Sequence, residues 1–138
     1  MTKYIFDTIS FSSFSKNEPK QIIILCHGYG GDGQDISALA LNWRRFLPDA
    51  VFLCPNAPEV CTVNPFGYQW FDMAIENDEM ILEKSLIAEK KLSTFLDQVL
   101  DDYQLYMCMG GSFVKRLLSS LNSFGHPLCE FVFWVEER

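Results

Sequence analysis

Apolar positions fall into short blocks and longer periodic stretches. Residues Ile22–Cys26 form an unbroken apolar run stopped by the glycines of "HGYGG". A short run rich in β-branched residues and ended by glycine reads as a fully buried strand. Ala50–Cys54, ended by Pro55, reads the same way. Between them, "QDISALALNWRRFLP" places Ile36, Leu39, Ala40, Trp43 and Phe46–Leu47 on one helical face, with Pro48 as the stop. A longer helix is expected over residues 77–103. There Leu82, Leu86, Leu92, Phe95, Leu96, Val99, Leu100 and Tyr103 recur at helical spacing, and Asn77-Asp78-Glu79 caps the start. Tyr4–Phe14 suits a strand or hairpin edge, residues 15–20 a turn, and residues 63–72 an aromatic loop without a period. "QLYMCM" is a further strand candidate closed by Gly110-Gly111-Ser112, residues 113–124 a helix candidate, and "FVFWV" a last apolar segment.

Strands alternating with helices call for an α/β fold: a mainly parallel sheet with helices on both faces. Ligands in such sheets sit beyond the carboxyl ends of the strands. The two glycine turns, at 27–31 and 110–112, are both expected there, at one crevice. Glycine alone tolerates positive φ without steric cost, and a bare turn does not need Gly28, Gly30 and Gly31 beside His27.

Composition narrows the classes. The 138 residues, 49% hydrophobic and 21% charged, fit a single globular domain spanning 1–138. Such a chain buries about two-thirds of its unfolded surface, enough for an ordinary core. With a net charge of −7 and no basic cluster beyond pairs such as Lys90-Lys91, binding to nucleic acid or to anionic membrane surfaces is disfavoured. The start of the chain lacks an apolar signal-peptide core, and no apolar run approaches membrane-spanning length, so stable membrane insertion is not expected. Five scattered cysteines, an odd number, argue for a reducing cytoplasm over a disulfide framework. No CxxC pair and two distant histidines give no metal spacing, so neither metal nor cofactor is expected. A phosphate cradle is the weakest reading of the glycine loop. It lacks the Lys-Ser/Thr of a P-loop, and Asp32 and Asp35 repel phosphate.

Four pieces in order, "IIILCHGYGGDGQD", "LPDAVFLCPNAP", "GYQWFD" and the long helix after them, resemble the phospholipase/carboxylesterase (acyl-protein thioesterase-like) family of α/β-hydrolases over residues 20–105. The resemblance implies a serine carboxylester or thioester hydrolase, with acyl transfer to water through a Ser nucleophile and a backbone oxyanion hole. Gly28-Tyr29-Gly30 then matches the oxyanion loop, with the Tyr29 N–H as one donor. Such donors face charge that appears only in the transition state, and losing one in a well-studied protease costs about 3–4 kcal/mol. Gln69 and Trp70 match the loop bordering the acyl pocket. His27 is placed as a loop residue and not as the base.

The match changes at the nucleophile. The family reads Gly-Phe-Ser-Gln-Gly there, whereas this chain reads Gly110-Gly111-Ser112-Phe113-Val114. Ser112 is the candidate nucleophile and the Phe113 N–H the second oxyanion donor; alternatively, Ser112 is a serine in an ordinary glycine turn. Val114 stands where a small residue lets the elbow pack closely. Residues 113–138 hold no Asp, and His126, before Pro127, is their one histidine. A serine hydroxyl needs a base, and the base an orienting acid. The expectation is therefore an incomplete α/β-hydrolase domain lacking the C-terminal strands, truncated or frame-displaced near the elbow, with impaired activity on a small-molecule ester or acyl substrate. The alternative is a catalytically inactive remnant or a small-ligand or partner-binding module. An uncovered sheet edge would invite self-association.

Overall fold

The computed structural model describes residues 3–74, 76–103 and 131–136. The elements in chain order are β1 (Thr8–Phe11), β2 (Gln21–Cys26), α1 (Gly33–Trp43), β3 (Ala50–Pro55), β4 (Glu59–Val60), β5 (Tyr68–Gln69), α2 (Asp78–Asp102) and β6 (Phe131–Glu136). Four strands form one sheet in the order β1-β3-β2-β6, and β4 pairs with β5 in a small hairpin. The expected strand at 104–109, the Ser112 turn and the helix at 113–124 lie outside the described residues.

The two runs read as buried strands occupy the sheet centre. Ile22–Cys26 and Ala50–Pro55 are buried throughout. β2 and β3 run parallel, Ile22 opposite Val51 and Ile24 opposite Leu53. β1 lies antiparallel to β3, and β6 antiparallel to β2 with Ile23 opposite Trp134. Parallel neighbours need a crossover connection. The β2–α1–β3 unit supplies the one described here, so parallel pairing among the described strands is confined to β2–β3.

Alternate β2 and β3 side chains enter two cores. On one face Ile23, Leu25, Phe52 and Cys54 pack with Ile36 and Ala40 of α1. On the other, Ile22, Ile24, Val51 and Leu53 pack with Leu92, Phe95, Leu96 and Val99 of α2, and with Tyr4 and Phe6. Helices thus cover both faces, as strands apolar on both sides require. Burying each such side chain contributes about 1.5–3 kcal/mol.

The helix boundaries carry two corrections. α1 ends at Trp43, before Pro48, and Phe46 beyond it is 76% exposed instead of lying on the buried face. In α2 the buried positions begin at Ala88, while Leu82 and Leu86 are half exposed despite their helical spacing. The cap was read correctly: Asn77 accepts a hydrogen bond from the Met80 N–H at 3.1 Å. The segment before β1 is fastened to the far end of α2. Tyr4 Oη donates to Asp102 at 2.7 Å, Lys3 Nζ lies 2.7 Å from the same oxygen, and the Ile5 N–H donates to Gln98.

Candidate active site

Because β2 and β3 are parallel, their carboxyl ends open on the same side, and residues 27–31 and 56–58 leave the sheet together. His27 joins them. Its imidazole is 2% exposed. Nε2 accepts the Ala57 N–H at 2.9 Å, and Nδ1 lies 2.7 Å from the Gly28 carbonyl oxygen. With both ring nitrogens engaged by backbone, His27 fits the loop role and not that of a base. Burial holds its pKa below the ordinary 6.5, opposed in part by the Gly28 carbonyl and by Asp32 and Asp35.

Trp70 closes the same corner. Its indole Nε1–H donates to the His27 carbonyl at 2.9 Å, and its ring stacks on the imidazole with centroids 5.5 Å apart. The other side of Trp70 meets the edge of Phe6. Gln69, expected at an acyl pocket with Trp70, is 3% exposed. Its Oε1 accepts from the Thr62 N–H at 3.0 Å, and its Nε2 donates to Glu59 at 3.1 Å. In this arrangement Gln69 braces the β4–β5 hairpin.

The glycine loop is fixed from several directions. Gly30 has φ +81°, where a side chain would be strained. The Gly30 N–H donates to the Tyr68 carbonyl at 2.9 Å, and the Tyr68 N–H to the Gly31 carbonyl at 2.8 Å. Asn64 Nδ2 donates to the Gly30 carbonyl at 2.8 Å, and the Gly31 N–H to the Gly28 carbonyl at 3.1 Å. The Tyr29 N–H makes no hydrogen bond among the described residues. α1 starts directly after the loop. Asp32 caps it by accepting from the Asp35 N–H, and Asn56 accepts from the Gly33 N–H, both at 2.7 Å.

Sequence reasoning missed the bracing roles of Asn64, Gly67 and Asn56. A signal for the first two was present. "NPFG" carries Asn, Pro and Gly at the positions a four-residue turn prefers. The Gly67 N–H indeed donates to the Asn64 carbonyl at 3.0 Å, and the Asn64 side chain accepts from the Phe66 N–H at 3.3 Å. Ser112 and Phe113 lie outside the described residues.

The fold and loop define an α/β protein with a hydrogen-bonded glycine loop at the carboxyl end of its central strand β2. A family model for phospholipase/carboxylesterase matches residues 10–107, and the chain belongs to that family. The crystal structure of esterase PE8 is similar at 37% sequence identity with a TM-score of 0.66, covering 72% of this chain. This chain spans 47% of the length of that one. The fold is therefore that of a partial α/β-hydrolase.

Proposed function

We propose that the chain is a serine carboxylester or thioester hydrolase by descent, with the Tyr29 N–H as an oxyanion donor, Ser112 as nucleophile and the Phe113 N–H as second donor. One observation carries this reading. The Tyr29 N–H is unused among the described residues, while on either side of it the Gly28 carbonyl and the Gly30 N–H are hydrogen-bonded and hold its two peptide units. A backbone N–H left unpaired between two held peptide units is where an acyl oxyanion would be received. Trp70, half-buried, stacks on His27 and bonds to its carbonyl beside this loop.

Turnover by these 138 residues alone is proposed to be impaired. Residues 113–138 hold no Asp, and His126 matches no base position. The same reading places the protein in a reducing, cytoplasmic setting, in keeping with free thiols at Cys26, Cys54 and Cys61. Among the described residues no helix is long and apolar enough to cross a membrane. Self-association belongs to the proposal too, since β1 and β6 are the outer strands of the four described.

A fluorophosphonate probe tests the nucleophile, with p-nitrophenyl ester turnover measured in parallel. Labelling of the folded chain that is lost in Ser112→Ala supports the hydrolase. A folded chain that takes no label refutes it and leaves a ligand- or partner-binding module.

A further inference from the structure

One imidazole joins four segments: the end of β2, the glycine loop, the loop after β3 and the aromatic loop. We propose that His27 is a positioning residue for the oxyanion donor, aiming the Tyr29 N–H by fixing the plane of the Gly28–Tyr29 peptide. This rests on the hydrolase reading above.

The reasoning starts from the peptide unit. In a trans peptide the C=O and the following N–H lie in one plane and point in opposite directions. The Gly28 carbonyl and the Tyr29 N–H belong to the same unit, so whatever fixes one aims the other. The Gly28 carbonyl oxygen has two partners, His27 Nδ1 at 2.7 Å and the Gly31 N–H at 3.1 Å. A carbonyl oxygen accepts only, so Nδ1 carries the hydrogen. Nε2 receives the Ala57 N–H and therefore carries none. These partners select one neutral tautomer.

The ring is also held in place. It is almost wholly buried, stacks on Trp70 and faces the Tyr68 ring at 6.4 Å. Its own carbonyl is taken by the Trp70 indole. Without a donor at Nδ1, the Gly28–Tyr29 unit keeps the Gly31 bond alone and is free to tilt. Protonation also disturbs the arrangement, because it sets an N–H at Nε2 against the Ala57 N–H. The charged and titratable groups around the ring are Asp32, Asp35 and Tyr68, and the two carboxylates oppose the loss of the proton.

The test needs no turnover. In the full chain labelled with nitrogen-15, long-range proton–nitrogen correlations of His27 should show hydrogen on Nδ1 and none on Nε2 at neutral pH. On acidification the Tyr29 and Ala57 amide resonances should move together with the ring. His27→Asn, whose amide can donate near the Nδ1 position, should restore the Tyr29 amide towards its wild-type resonance, and His27→Leu should not. A ring protonated on Nε2, or a Tyr29 amide unmoved in His27→Leu, overturns the proposal. If the chain turns over p-nitrophenyl acetate, His27→Leu should lower kcat about tenfold or more with little change in KM, and His27→Asn should recover much of it. A folded wild-type chain that takes no fluorophosphonate label sinks the hydrolase reading, while the resonances still decide whether His27 aims the peptide.

Discussion

Gly67→Ala places one methyl group where the fold has no room. The added Cβ would collide with the carbonyl oxygen and carbon of Gly30, and would sit 3.0 Å from Asn64 Nδ2. The principal obstacle is backbone in the glycine loop, so it does not yield as a flexible side-chain tip would. Two responses compete. If the chain stays put, overpacking costs about 1–3 kcal/mol. If the β4–β5 hairpin lifts away, it surrenders the bonds Gly30 N–H to Tyr68, Tyr68 N–H to Gly31 and Asn64 to Gly30. At about 1 kcal/mol net for each, that response costs about 3 kcal/mol. The cheaper response sets the outcome, so about 2 kcal/mol of destabilisation is expected, well within the 5–15 kcal/mol typical of a domain. Urea unfolding should show a lower midpoint at unchanged slope. Hydrogen exchange should lose protection at the Gly30 and Tyr68 amides and keep it along central β2. Gly30→Ala separates the causes. There the Cβ meets only ordinary contacts, 3.7 Å to Asn64 Cβ, and the cost comes from φ +81°, about 1–2 kcal/mol. A Gly67→Ala protein with wild-type midpoint and full protection at Gly30 and Tyr68 would refute the packing account.

Trp70→Phe removes the indole donor to the His27 carbonyl. It should cost about 1–2 kcal/mol by circular-dichroism-monitored urea unfolding, and a loss of only a few tenths would mean that bond is not needed. Asp102→Asn tests the fastening of the N-terminal segment. Burial alone would raise the Asp102 pKa, but hydrogen bonds from Lys3 and Tyr4 and the Lys3 charge outweigh it and hold the pKa below its ordinary value. A depressed carboxylate stabilises above its unfolded pKa and loses that contribution as pH falls through the folded one. The gap in urea midpoint between wild type and Asp102→Asn should therefore be full at neutral pH and close as the pH falls through and below the ordinary carboxylate range. A gap that does not vary with pH would contradict the assignment.

What could be read from the sequence followed from how tightly backbone geometry restricts residue type. β2 and β3 were legible because strands buried on both faces must be apolar at every position, as Ile22–Cys26 and Ala50–Cys54 are. Both helices announced themselves by spacing. Periodicity gives the side a residue faces, however, and not whether anything covers it, so Leu82 and Leu86 read like Phe95 although they are half exposed. The α1 stop was placed too late because Pro48 is a visible breaker. The chain in fact leaves the helix at Arg44, whose N–H still bonds to Ala40. The β4–β5 hairpin was hidden because two-residue strands cannot display alternation, and Glu59 and Val60 are both exposed.

The site divides along the same line. The glycine loop was legible because positive φ at Gly30 leaves a mark in the sequence. Its braces were not, since they come from Asn64, Gly67 and Ala57, 30 or more residues away along the chain. Among the described residues those braces all fall within residues 27–70, so the proposed oxyanion loop is held by one continuous stretch of chain. An oxyanion donor works by being aimed before charge develops, and it needs no reorganisation at the moment of reaction. A loop that holds the Gly28–Tyr29 peptide through its own hydrogen bonds keeps that aim whether or not a base stands beside Ser112. Loss of a base would therefore abolish turnover while leaving the Tyr29 geometry intact, and the two halves of the site can be tested apart: Ser112 by its reactivity, the loop by the resonances of Tyr29 and His27.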